Sequence, residues 1–223
     1  MLEKLKEQVM EVAKLAQRDG LCKHKSGNFS ARDPGSGLIV ITPTGVDREK
    51  MVLQDMVVMN MDAEVVESIN GLKPTSEAMM HLAIYRTRED VHAIVHTHSK
   101  FATVFAVLNK PIPAVVYEMF HLGNADEIIP VAPYGRPGTM ALAESVIEPV
   151  KHHDAFLLQA HGDVAVDETS IEEAYLKACY VEEIAELYEH LLLLNQGKEP
   201  EVLPSAELQK WGYPSEIHLL KTK

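Results

Sequence analysis

Apolar residues recur every third or fourth position at the start of the chain. Leu2, Leu5, Val9, Val12, Ala13 and Ala16 share one face, which predicts an amphipathic helix over residues 2–19 with Gly20 as its stop. The pattern then shortens. Leu38 to Ile41 reads as a strand ended by Thr42-Pro43-Thr44-Gly45, and residues 55–60 read as a second strand. Residues 70–74 form a turn. Thr75-Ser76-Glu77 opens a helix over 78–86, with Thr75 or Ser76 as the expected N-cap. Residues 91–99, Val-His-Ala-Ile-Val-His-Thr-His-Ser, have the apolar, β-branched middle of a buried strand. A helical pattern follows at once in Phe101, Val104, Phe105 and Leu108.

Residues 113–117 and 128–132 read as strands, 133–138 as a Pro/Gly loop, and Thr139 caps a helix running to about residue 151. The apolar strand 155–159 runs into Ala160-His161-Gly162, with 164–166 as its antiparallel partner. The longest helix spans about 170–194 and starts at a Ser170/Glu173 capping box. The tail, 198–223, carries three prolines and one Trp and is expected to pack on the domain or on a neighbour. No repeat, low-complexity tract or linker divides the chain. The expectation is one α/β/α domain over 1–223, with a largely antiparallel central sheet flanked by helices.

Composition narrows the class. With 223 residues and 46% hydrophobic content there is ample core. No run of 18 apolar residues suggests a membrane span, and the charged amphipathic start lacks the apolar stretch of a secretory signal. The two cysteines, Cys22 and Cys179, suit buried small hydrophobes in a reducing cytoplasm. A net charge of −12 argues against a nucleic-acid surface but leaves room for one local anion pocket. The methionines at 51, 56, 59 and 61 read as core filling.

The chemistry gathers at strand ends. His96 and His98 are i and i+2, so their imidazoles share a face roughly 6–7 Å apart along the backbone, close enough to close on one metal ion. His161 also ends an apolar strand. Together the three make a candidate catalytic zinc set with an open fourth position. Glu77, in a helix first turn, is the fourth candidate, as ligand, base or both. His81, one helical turn on, competes as a ligand but reads first as a helix-face residue. The remaining histidines, including His218, read as structural or solvated, with His121 near Tyr117 left open. Three polar turns, Gly27-Asn28, Thr44-Gly45 and Thr75-Ser76, offer hydroxyl, amide or backbone N–H donors of the kind that converge on phosphate. The first lies within Lys25-Ser26-Gly27-Asn28-Phe29-Ser30, read as a small polar turn.

The order Gly27-Asn28, Thr44-Gly45, Pro74-Thr75-Ser76-Glu77, His96-Thr97-His98, Tyr117 and His161-Gly162 resembles the class II aldolase/adducin family over about residues 3–195. The resemblance implies zinc (or another divalent transition metal) held by His96, His98 and His161. It implies Glu77 as catalytic acid/base and resting metal ligand, and a phosphate site from Gly27, Asn28, Thr44, Gly45, Thr75 and Ser76. It implies Tyr117 as a mobile catalytic tyrosine near a subunit boundary, and a homotetramer. The expected reaction is cleavage of a ketose 1-phosphate, similar to L-fuculose 1-phosphate, to dihydroxyacetone phosphate and an aldehyde. Related members dehydrate methylthioribulose 1-phosphate or epimerise ribulose 5-phosphate, the latter usually with Asp at the position of Glu77. A non-catalytic scaffold is the remaining alternative. The residue before the third histidine is often Asn in relatives and is Ala160 here; the usual Ser-Ser of the phosphate turn is Thr75-Ser76.

Overall fold

Strand β5 (Ala93–Thr97), buried along its whole length, lies near the middle of an eight-stranded sheet and carries His96. The computed structural model describes residues 1–124 and 128–208. The other elements, in chain order, are helix α1 (Glu3–Arg18), strands β1 (Asn28–Arg32), β2 (Ile39–Ile41), β3 (Val57–Met59) and β4 (Val65–Glu67), and helix α2 (Ala78–Thr87) before β5. Helix α3 (Lys100–Leu108) follows β5, then β6 (Ile112–Pro113), β7 (Ile128–Ile129) and β8 (Val131–Ala132). Helices α4 (Met140–Ser145) and α5 (Ile147–Val150), strands β9 (Ala155–Leu158) and β10 (Gly162–Asp167), and helices α6 (Ile171–Leu194) and α7 (Ser205–Leu208) complete the chain. The sheet order is β4-β3-β2-β1-β5-β10-β9-β8; β6 and β7 pair separately. Every pairing is antiparallel except β8 with β9.

Alternation within the strands sorts side chains between two helical layers. Phe29, Ala31, Val40, Val95 and Ala165 face α1 and α6. Ile39, Ile41, Ile94, Phe156, Val164 and Val166 face α2, α4 and α5. A third cluster joins α3 and α6 to Ala155 and Leu157 of β9. The architecture is therefore the expected α/β/α arrangement with a mostly antiparallel sheet. Met51, Met56 and Met59 are buried, and both cysteines are free thiols. Among the described residues no helix is long and apolar enough to cross a membrane.

Local readings differ at six places, the first being that the helix expected from Thr139 to about residue 151 is two, α4 and α5. Residues 25–30 are not one polar turn: Asn28 begins β1, whose Asn28 and Ser30 are polar yet buried because they meet polar groups of α2. Strand β4 was not anticipated; its Val65 and Val66 are exposed at the sheet edge. The N-cap of α2 is Glu77 rather than Thr75 or Ser76, although the Thr75 hydroxyl still accepts from the Glu77 amide at 3.4 Å. The strand expected over 113–117 stops at Pro113, and Tyr117 instead opens a 3-10 turn, Tyr117–Leu122. The strand expected over 128–132 is two, β7 and β8, since Pro130 lacks the N–H needed to continue a ladder. Trp211, His218 and the rest of the tail beyond residue 208 lie outside the described residues.

Candidate metal and phosphate site

The sheet register brings the site together. Asn28 of β1 and Val164 of β10 both pair with His96, so β1 and β10 flank β5 at the point where the His-Thr-His run ends. The chain then leaves the sheet for α3, and His98 lies in the short connection between β5 and α3, just past the strand end. His161 sits in the tight connection of residues 159–161 between β9 and β10, in which Ala160 has φ 55°. That left-handed backbone is one that Asn tolerates better than Ala. Gly162 follows because a Cβ there would lie 2.2 Å from the Thr97 carbonyl oxygen.

The three imidazoles converge. One ring nitrogen from each of His96, His98 and His161 lies within 4.8 Å of the others, a group that could hold a metal ion, and Nε2 of His96 and His98 are 3.1 Å apart. Nδ1 of His96 lies 2.7 Å from the Asp163 carbonyl oxygen; a carbonyl only accepts, so Nδ1 carries the proton and Nε2 presents its lone pair inward. Glu77 completes the cluster, with Oε2 3.2 Å from His96 Nε2 and Oε1 3.3 Å from His161 Nε2. Three neutral imidazole nitrogens and one carboxylate oxygen are a donor set that suits zinc and other divalent transition metals.

Electrostatics agree with that set. Burial pushes His98 down to about 3 and His161 to about 4, helped in both by the charge of His96, so both present lone pairs. His96 is the exception: burial opposes its charge, but the bond to Glu77 and that carboxylate's charge raise it above the ordinary histidine value. Burial likewise opposes ionisation of Glu77, yet hydrogen bonds from His96 and Asn28 and the charges of His96 and His161 hold it below the usual carboxylate range.

A cleft of about 260 Å³ opens beside this cluster. Its walls include all six residues expected at the phosphate, Gly27, Asn28, Thr44, Gly45, Thr75 and Ser76, together with Glu77, His98 and His161. His96, fully buried, stands behind them. Lys25, Ser26, Pro43 and Pro137 also line it, and none of these was singled out from sequence. Lys25 adds a cation to a region of neutral donors; its only sequence signal was adjacency to the Gly27 turn. Arg48 was also missed: its buried guanidinium donates to the carbonyls of Ser26 (2.5 Å) and Gly27 and lies over the Phe29 ring, pinning that turn. Tyr117 does not line the cleft of its own chain; it is 41% exposed in the 3-10 turn packed against α6. His121 stacks on Tyr180 of α6 with a centroid separation of 5.2 Å.

His81, expected as a helix-face residue, lies on α2 and outside the three-histidine cluster. It is fully buried and bonded through Nε2 to Asn28 Oδ1 (2.5 Å) and through Nδ1 to Ser30 Oγ (2.7 Å). A larger groove of about 450 Å³, bordered by Arg32, Arg86 and His92, contains none of the predicted site residues.

Comparison with known proteins matches this arrangement. The model of the class II aldolase and adducin N-terminal domain family matches residues 7–188. A 5-deoxy-D-ribulose 1-phosphate aldolase from Bacillus thuringiensis is 35% identical over 209 residues, 94% of each chain. An L-fuculose phosphate aldolase from Escherichia coli is 37% identical over 185 residues, 83% of this chain and 82% of that one. A solved L-fuculose 1-phosphate aldolase superposes with a TM-score of 0.85 at 34% identity, covering 92% of this chain and 93% of that one.

Proposed function

The chain belongs to the class II aldolase and adducin family, with relatives that are carbon–carbon lyases, and we propose that it cleaves a ketose 1-phosphate to dihydroxyacetone phosphate and a short aldehyde. What supports this reading is one cleft lined both by the hydroxyl, amide and backbone donors from Gly27 to Ser76 and by Glu77, His98 and His161, with Glu77 against His96 and His161. L-Fuculose 1-phosphate and 5-deoxy-D-ribulose 1-phosphate, named in the relatives, share the 1-phosphate and 2-ketone that such a cleft would grip.

In this reading Gly27, Asn28, Thr44, Gly45, Thr75 and Ser76 hold the phosphate through neutral donors, with Lys25 adding charge, far enough from the reacting carbons to act by positioning. His96, His98 and His161 hold zinc, with Glu77 as a fourth ligand at rest. Bound there, the ion supplies Lewis acidity toward the ketone and neighbouring hydroxyl oxygens. In the synthetic direction Glu77, ionised in the free site, takes a proton from the hydroxymethyl carbon of dihydroxyacetone phosphate. That carbon's electron pair forms the new bond to the aldehyde carbon, and the aldehyde oxygen takes a proton from Tyr117. Cleavage is the reverse. Tyr117 would come from a neighbouring subunit of a homotetramer, consistent with its exposure away from its own cleft. A cytoplasmic location completes the reading.

The test is turnover of L-fuculose 1-phosphate and 5-deoxy-D-ribulose 1-phosphate by zinc-loaded and then chelated protein. Metal-dependent aldehyde release is expected. Loss of water without an aldehyde would point instead to dehydration, inversion of a hydroxyl without cleavage to epimerisation, and no turnover of either sugar to a scaffold.

A further inference from the structure

We infer that His81 is a positioning residue for Glu77: it fixes the Asn28 amide, and through it the carboxylate, by a one-way chain of hydrogen bonds that begins at Tyr85. The inference rests on the acid/base role proposed for Glu77. Its starting point is that an ionised carboxylate only accepts. Asn28 must therefore turn its amide nitrogen toward Glu77, and Nδ2 lies 2.8 Å from Oε2. The amide oxygen then faces His81 Nε2 at 2.5 Å, so Nε2 must carry the proton. A neutral imidazole has one such proton, so Nδ1 must accept, and the Ser30 hydroxyl donates to it at 2.7 Å. With its proton committed, Ser30 Oγ accepts from the Tyr85 hydroxyl at 2.8 Å. Every bond points the same way, toward the carboxylate.

The surroundings enforce the direction. His81 is fully buried with the Asn28 amide oxygen and the Ser30 hydroxyl at its two ring nitrogens, and neither is an anion that would hold an imidazolium. Burial also raises Tyr85 above an ordinary phenol, keeping its proton. His81 and Tyr85 are i and i+4 on α2, and Asn28 and Ser30 are i and i+2 on β1, so each pair presents one face to the other. A flipped Asn28 amide would set its oxygen against Glu77 and its NH2 against the His81 N–H, two repulsive contacts. His81 thereby fixes which end of Asn28 faces the carboxylate. Oε2 is tied by Asn28 and lies 3.2 Å from His96 Nε2, while Oε1 lies 3.3 Å from His161 Nε2.

The first measurement needs no turnover. Two-bond nitrogen–proton NMR on 15N-labelled, zinc-loaded protein should show His81 as a neutral imidazole protonated at Nε2. An imidazolium, or a proton on Nδ1, would overturn the inference. The second compares His81→Leu with His81→Gln, whose amide keeps a donor near the Nε2 position. Hydrogen exchange into dihydroxyacetone phosphate should fall about tenfold or more in kcat for His81→Leu with KM held within about twofold, and His81→Gln should recover most of the loss. Zinc content should stay equal to the parent in both. Equal losses in the two variants, or a loss confined to KM, would sink the positioning role. An inactive parent enzyme would instead count against the proposed function, and the NMR result would still decide the direction of the chain.

Discussion

His96 gives its Nδ1 proton to the main-chain carbonyl of Asp163, 2.7 Å away, across the ladder that joins β5 to β10. The bond uses backbone rather than a side chain, so strand pairing itself fixes the tautomer and aims Nε2 at the cluster. Asp163 is held in turn by Thr97 and Ser99, whose hydroxyls donate to its buried carboxyl at 2.7 and 2.9 Å. If these three imidazoles are the ligands, His96→Ala, His98→Ala and His161→Ala should each lose bound zinc and activity together. Elemental analysis of the purified variants checks it, and full occupancy in all three would end the ligand assignment.

Gly27 and Gly45 both line the cleft with φ of 74°, but only one is crowded. A Cβ on Gly27 would lie 2.6 Å from the His96 carbonyl oxygen and 2.5 Å from Cys22 Sγ, whereas Gly45 has nothing within 4 Å. Gly27→Ala should therefore cost about 2–4 kcal/mol and weaken metal binding by displacing His96. Gly45→Ala should cost only about 1–2 kcal/mol of backbone strain. Urea unfolding of the metal-free variants measures both, and equal costs would show that the close approach to His96 does not matter.

The layers, the sheet character and the strand-end histidines were legible in the sequence, because apolar periodicity reports directly on which face is buried. The polar cluster behind them was not. Asn28 and Ser30 alternate with Phe29 and Ala31 as a strand should, but a polar face reads as solvent-facing until α2 supplies His81 and Tyr85 to satisfy it. The partners of His81 were hidden for the same reason: periodicity places it on a face but says nothing of what that face meets. Glu77 was found through its neighbours Thr75 and Ser76, yet its 3.2–3.3 Å approach to two histidines depends on the register of separate strands, which no local pattern encodes.

Buried neutral histidines make stability depend on pH. His81 has an ordinary value of 6.5, depressed on folding to about 3, so between those values the unfolded chain binds the proton and the folded chain does not. Its contribution is complete above pH 6.5 and is lost as pH falls toward 3, at up to about 1.4 kcal/mol per pH unit. His98 and His161 act in the same direction, and His96, whose value is raised, acts against them. In chelator, the stability of the parent should fall more steeply between pH 6 and pH 4 than that of His81→Gln. Parallel curves would mean that His81 takes up its proton in the folded state.

Ser76 lines the cleft with Thr75 and Lys25. Removing one hydrogen bond to a charged oxygen costs about 1.5–3 kcal/mol. Ser76→Ala should raise KM for a phosphorylated ketose by roughly 10–100-fold and leave KM for the unphosphorylated analogue nearly unchanged. Steady-state kinetics on the matched pair of substrates decides it. Equal changes for both would remove Ser76 from the phosphate site.

Glu77 gives the sharpest test, because a carbon acid/base leaves a trace without any aldehyde present. In deuterated water the zinc-loaded enzyme should exchange one hydroxymethyl hydrogen of dihydroxyacetone phosphate. It should take only one of the two, since the carboxylate meets the ligand from the side of α2 on which Asn28 and His96 hold it. Glu77→Gln should stop the exchange, because an amide cannot take the proton, while phosphate-end binding persists through Thr44, Gly45, Thr75 and Ser76. The proton NMR signal of the hydroxymethyl group, followed over time, measures the reaction, and a titration of the same ligand measures binding. Binding without exchange in the parent enzyme would rule out the aldolase chemistry and favour dehydration or epimerisation. Exchange that survives in Glu77→Gln would move the proton transfer to another group in the cleft.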